Sequence, residues 1–170
     1  MLIGNPLKFA IEIYHEPHSL EWLGFGRMCL HVAGATMGDV AEEHCSLFHA
    51  VERICELGKT VDSLWDERLS GHTDAEIFAW LDHEVYTGES AVTSSSNLAR
   101  FDFLTNTGEQ FDASKSFIYC RPDGAVHILF DGRDGIFHSV VCDSSEFRRQ
   151  ALDLEVWFSQ QTESGAQRLQ

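Results

Sequence analysis

Leu7, Phe9, Ile11 and Ile13 alternate with Lys8, Ala10, Glu12 and Tyr14 near the start of the chain. A period of two predicts a half-buried strand, and Pro17, which has no amide to give to a ladder, predicts its end. A second strand is expected from about Trp22 to Ala33. Met28, Leu30 and Val32 would face inward there, with Arg27, Cys29 and His31 outward. Gly24 and Gly26 predict a bend or bulge in it. Gly34 opens a turn toward Thr36-Met37-Gly38-Asp39.

The period then changes. Leu47, Phe48, Val51, Ile54 and Cys55 fall at helical spacing, and Gly58 is placed to end that helix. Val61, Leu64, Trp65 and Leu69 continue the pattern toward Gly71. Thr73-Asp74-Ala75-Glu76 reads as a capping box, in which hydroxyl and carboxylate each satisfy an orphan backbone amide. Ile77, Phe78, Leu81 and Val85 then make one apolar face, which Gly88 closes.

The second half returns to strands. Phe101 and Phe103 alternate with Arg100 and Asp102. Ser116 to Arg121 and Ala125 to Asp131 flank Pro122-Asp123-Gly124, a hairpin turn. Gly132-Arg133-Asp134-Gly135 is the next turn, followed by a strand from Ile136 to Cys142. Ser144 or Ser145 is placed to cap a last helix with Phe147, Ala151, Leu154 and Trp157 or Phe158 inward. Strands grouped in runs predict an α+β fold and not a doubly wound parallel sheet. The expected architecture is an antiparallel sheet, helices inserted after its first two or three strands, and a C-terminal helix. One domain is expected over residues 1–161, with a polar, flexible tail at 162–170.

Charge adds to this picture. The 170 residues hold 27 acids against 12 Lys and Arg, a formal net charge of −15. That field repels nucleic acid and anionic membranes, so neither is an expected partner. No apolar run approaches the roughly 18 residues of a membrane span. The first eight residues do not read as a signal peptide, so a cytoplasmic location is expected. Five cysteines without CxxC spacing predict reduced, buried thiols.

The candidate chemistry is thin. Nine histidines offer His15 with His18, or His44 with Cys45 and His49, as metal ligands. Neither group has the spacing of a known site, and HExxH is absent. GxSxG is absent too, and Cys45 beside His44 is adjacency only. Asp131 to Gly135 lacks the spacing of a calcium loop, and Gly24-Phe25-Gly26 is too short to cradle phosphate. The residues therefore predict no catalytic group, metal or cofactor, and no enzyme. A small metal-assisted hydrolase is the rival that this reading leaves open.

The acids are unevenly spread. Between Asp39 and Glu89 there are thirteen, against Arg53, Lys59 and Arg68. Glu52 and Glu56 share a helix face, as do Asp62 and Asp66, although like charges at that spacing cost a few tenths of a kcal/mol. Solubility alone would explain an acidic surface. A docking face for a basic protein would explain it as well, and Glu52, Glu56, Asp62, Asp66, Glu67 and Asp82 are its candidate contacts.

Gly4, Phe9-Ala10-Ile11, Gly24-Phe25-Gly26-Arg27, Gly34 and Gly38-Asp39 together resemble the N-terminal signature of a bacterial immunity-protein family, immunity family forty-two. The resemblance covers roughly residues 1–60, and its motifs are mostly glycines and strand residues. It implies a non-catalytic protein of a polymorphic-toxin system, the type VI secretion setting included, that binds a cognate toxin domain stoichiometrically. It implies that the toxin is basic, a nuclease being one class that fits. It assigns no contact residues. An adaptor or chaperone for a secreted effector is the alternative.

Overall fold

The computed structural model describes residues 1–16, 24–87, 95–112, 114–132 and 135–167. Pro17, His18, Trp22, Gly88, Arg133 and Asp134 lie outside them. The order is β1 (Leu2–Asn5), β2 (Phe9–His15), β3 (Phe25–Val32), β4 (Ala35–Met37), β5 (Cys45–Ser46), α1 (Phe48–Thr60), α2 (Asp74–Asp82), α3 (Ser95–Leu98), β6 (Ser116–Cys120), β7 (Ala125–Asp131), β8 (Phe137–Asp143) and α4 (Ser144–Gln167). This is the expected α+β fold, with helices after the early strands and a long helix last.

The strands form two antiparallel sheets. One runs β1-β2-β3-β4, with β5 pairing the start of β3, and the other runs β6-β7-β8. In the first, Ile11 pairs Leu30 and Ile13 pairs Met28. Phe9, Ile11, Ile13, Met28, Leu30 and Val32 are all buried on one face, as the alternation predicts. A single apolar cluster joins them to β6–β8, α1 and α4. Helix α4 packs on α1 and touches both sheets, through β1 and β2 on one and β7 and β8 on the other. Its Phe147 meets Phe9 at 5.0 Å and Phe103 at 6.2 Å between ring centroids.

Several local readings change. Leu7 is 78% exposed. Asn5 takes the Leu7 amide on its side chain at 3.0 Å and the Lys8 amide on its carbonyl at 2.9 Å, so a turn ends where the strand was expected to begin. Phe101 and Phe103 are buried but are not a strand: Ala99–Phe101 is a 3₁₀ turn, and of this stretch only Asp102 bridges Phe117. The Arg53 guanidinium satisfies the carbonyls of Arg100, at 2.8 Å, and Asp102, which a neighbouring strand would otherwise have to do. Val61 to Leu69 is two 3₁₀ turns and not a continued helix, because the Asp66 side chain caps the Arg68 amide and starts a new turn. At α4 the cap comes from Asp143, whose carboxylate accepts the Ser145 amide at 2.8 Å.

The capping box at α2 is as expected. Thr73 accepts the Glu76 amide at 3.4 Å, and Glu76 accepts the Thr73 amide at 2.8 Å. Gly58, in contrast, lies inside α1. A Cβ there would stand 2.5 Å from the Cβ of Ala151, so the glycine sets how closely α1 and α4 approach. Gly58→Val is expected to cost about 2 kcal/mol by forcing the helices apart. Ala151→Gly in that background should recover part of the loss, and denaturant midpoints of the four proteins measure the coupling.

Candidate functional site

The packing of α1 on α4 creates a groove of about 480 Å³. Phe48, Glu52 and Glu56 line it from α1, and Glu155 and Phe158 from α4. The N-terminus of α1 is fixed by the Leu47 amide on the Gly24 carbonyl at 2.8 Å. The Phe48 ring lies over Gly24, where any side chain would collide with it. Phe48 then meets Phe158 edge-to-face at 5.4 Å and still remains 48% exposed. Lys59 closes the far end on Glu155 at 2.8 Å. An exposed aromatic flanked by carboxylates is thus the groove's chemical character.

The six candidate acids do not form one face. Glu52 and Glu56 share the groove, as their spacing predicts. Glu52 makes no ion pair among the described residues, and Glu56 pairs with Arg53 at 3.0 Å. Asp62 is bound to Arg148 of α4. Asp66 holds Arg68 at 2.7 Å and Arg100 at 3.3 Å. The hydrogen bond from Arg68 is the main reason its carboxyl falls to about 2. Glu67 accepts the Trp65 indole N–H at 3.2 Å, and Asp82 is bound to Lys115. Four of the six, Glu56 among them, therefore hold a cation within the chain.

Two further polar clusters stand away from the groove. In the first, Asp74 at the start of α2 reaches the second sheet. Its carboxylate accepts hydrogen bonds from the Tyr119 and Ser139 hydroxyls and lies 3.1 Å from His127 Nδ1. Burial pushes the Asp74 pKa up, but hydrogen bonds from Ser139, Tyr119 and His127 outweigh it and hold the carboxyl below its usual range. The serine hydroxyl donates to the carboxylate and not to the imidazole, so no nucleophile–base pair exists here. Its geometry ties α2 to β6, β7 and β8.

The second cluster lies on the outer face of the first sheet. Glu12 pairs Cys29 across β2 and β3, and His31 is two residues along β3 on the same face. His31 Nε2 is 2.8 Å from Glu12 Oε2, and Cys29 Sγ lies 3.8 Å from Glu12 Oε2 and 3.7 Å from His31 Nε2. Cys29 faces outward as the alternation predicts, yet these neighbours leave it only 1% exposed. Sequence reasoning missed the cluster because the partner of Cys29 is fixed by register, which spacing along one strand does not contain.

The thiols are not activated. Burial pushes Cys29 and Cys142 up to about 12, and Cys45 and Cys55 up to about 11. Cys45 directs its Sγ at the backbone carbonyls of Glu42 and Glu43, while His44 Nδ1 lies 3.1 Å from Glu16. The adjacent Cys–His pair thus does not assemble. No helix among the described residues is long and apolar enough to cross a membrane.

No curated protein matches the sequence. The crystal structure of CdiI from Burkholderia dolosa AUO158 is similar in fold, with a TM-score of 0.61 at 15% identity. The match covers 92% of this chain and 99% of that one. The model of the family described as Immunity protein 42 matches residues 1–157. With nearly the whole described chain inside that match, this chain belongs to the immunity protein 42 family.

Proposed function

We propose that this chain neutralises a cognate bacterial toxin by one-to-one binding, and that the groove between α1 and α4 receives a basic segment of that toxin. The family match over residues 1–157 carries the first part. Charge complementarity supports the second: the chain carries −15, and Glu52 in the groove has no intramolecular cation among the described residues. Asp62, Asp66 and Asp82 already hold Arg148, Arg68 with Arg100, and Lys115, so they offer less to an external cation. Glu52 is the contact this reading ranks first, with Glu56, which shares the groove but holds Arg53, next to it and Glu67, outside the groove, after them. The half-exposed ring of Phe48 is the apolar anchor that a tight interface requires near its centre.

The mechanism follows from these parts. Long-range attraction speeds the encounter, and burial of Phe48 with its flanking carboxylates slows escape. The toxin is one delivered by a competing cell, with type VI secretion as the expected route, and it meets its inhibitor in the cytoplasm. A nuclease fits well, since a surface that binds phosphates is cationic and matches an anionic one.

Co-expression tests the function. The toxin domain encoded beside this chain should be lethal alone and tolerated with it, and the two should co-purify in equal amounts. A complex that retains toxicity would identify an adaptor instead. The double reversal Glu52→Lys with Glu56→Lys tests the face. Association is expected to slow about tenfold at low salt, with a smaller change in dissociation. Unchanged association rates at low ionic strength would remove both residues from the interface.

A further inference from the structure

We propose that Glu12, Cys29 and His31 form a binding site for one thiophilic divalent metal ion, zinc foremost, on the outer face of the first sheet. The proposal is independent of the toxin-neutralising reading and of the groove. Its basis is the convergence of one carboxylate oxygen, one thiol sulfur and one imidazole nitrogen, all within 4.8 Å of one another.

The spacing suits a small tetrahedral ion. Zinc bonds of about 2.3 Å to sulfur and 2.0–2.1 Å to nitrogen and oxygen imply ligand separations of roughly 3.6 Å to sulfur and 3.3 Å between nitrogen and oxygen. The sulfur distances here are 3.7 and 3.8 Å. Only the Glu12–His31 contact, now a 2.8 Å hydrogen bond, would have to open, by about half an ångström. Binding replaces that hydrogen bond and the Cys29 S–H contact with bonds to the metal. The thiol proton passes to solvent, the imidazole proton leaves Nε2 with Nδ1 carrying the remaining N–H, and no oxidant or reductant is involved. A dication with one carboxylate and one thiolate is electroneutral, which suits a half-buried position.

The surroundings hold two of the ligands in place. Thr36 Oγ1 lies 3.1 Å from His31 Nδ1, placed to accept an N–H from Nδ1 once Nε2 gives up its proton to bind the ion. The Tyr14 hydroxyl donates to Glu12 Oε1 at 2.7 Å and leaves Oε2 facing the cluster. The neighbouring cation, Arg27, is engaged elsewhere, with Glu16 at 2.5 Å and Glu43 at 3.7 Å. The backbone gives the same answer: Ala10, opposite His31, leaves room for the ring. Three protein ligands leave a fourth position for water.

The test uses the full chain, purified without a histidine tag and stripped with chelator. Cobalt(II) is titrated in and followed by absorbance, and zinc is then added as competitor. One equivalent of cobalt should produce a thiolate-to-metal charge-transfer band in the near ultraviolet, and zinc should abolish it. Cys29→Ser should lose the band, and Thr36→Val should keep it with affinity reduced about tenfold. His31→Ala, at a partly exposed position, carries the test if Cys29→Ser fails to fold, and should weaken zinc at least tenfold. Absence of the band, its survival in Cys29→Ser, or unchanged zinc affinity in His31→Ala would overturn the site.

Discussion

Replacing Asp74 with alanine is expected to cost about 4 kcal/mol, the largest loss predicted for a single polar residue of this protein. One carboxylate serves Tyr119, His127 and Ser139 from three strands. Tyr119 is fully buried, and His127 is only 7% exposed and stacked on it at 4.6 Å. Removing the carboxylate takes the acceptor from both, and an unsatisfied buried group costs about 1–3 kcal/mol. Asp74→Asn keeps one acceptor oxygen and should lose less than half as much. Urea unfolding of the three proteins decides the matter. A loss under 1 kcal/mol for Asp74→Ala would show that the cluster does not hold α2 to the sheet.

The same residue predicts the sign of a pH effect. Its carboxyl is held below the usual carboxylate range in the folded state, so on acidification the unfolded chain takes up the proton first. Its contribution is complete above about pH 4 and drains away as pH falls through the folded value. Asp74→Asn should therefore narrow its deficit against the parent as unfolding is measured at successively lower pH.

Gly26→Ala is expected to cost about 3 kcal/mol or to prevent folding outright. A Cβ at this position would stand 1.9 Å from the Tyr14 carbonyl oxygen and 2.9 Å from a Leu47 methyl. Gly26 pairs with His15 on one side and Cys45 on the other, so neither neighbouring strand can move alone. Overpacking against backbone is relieved only by separating strands, which sacrifices ladder hydrogen bonds. Gly34→Ala is the control. It has open space around it and only its positive φ of 85° to protect, so about 1 kcal/mol is expected. Similar losses at both positions, read from thermal or urea midpoints, would mean that backbone conformation and not close approach governs Gly26.

The paired glycines of the second strand also show what the family signature records. Gly24 and Gly26 were expected to bend that strand. In the structure they act by leaving space instead, Gly24 for the Phe48 ring and Gly26 for the facing strand. These two glycines mark places where a side chain does not fit, and only the neighbours in space say what it would have met.

Much of the fold is determined by local periodicity. The inward sets Phe9, Ile11, Ile13 and Met28, Leu30, Val32, the box at Thr73, the hairpin at Pro122 and the closing helix all follow from residues near one another in the chain, because alternation and capping are short-range effects. Tertiary structure alone decided the rest. The Arg53 guanidinium turned Phe101–Phe103 away from strand geometry by satisfying its carbonyls from another element. Arg148, Arg100 and Lys115 decided which acids stay available to a partner. Strand register placed Glu12 against Cys29. Each of these depends on groups distant in the chain, and charge and coordination act through distance in space, which sequence spacing does not encode.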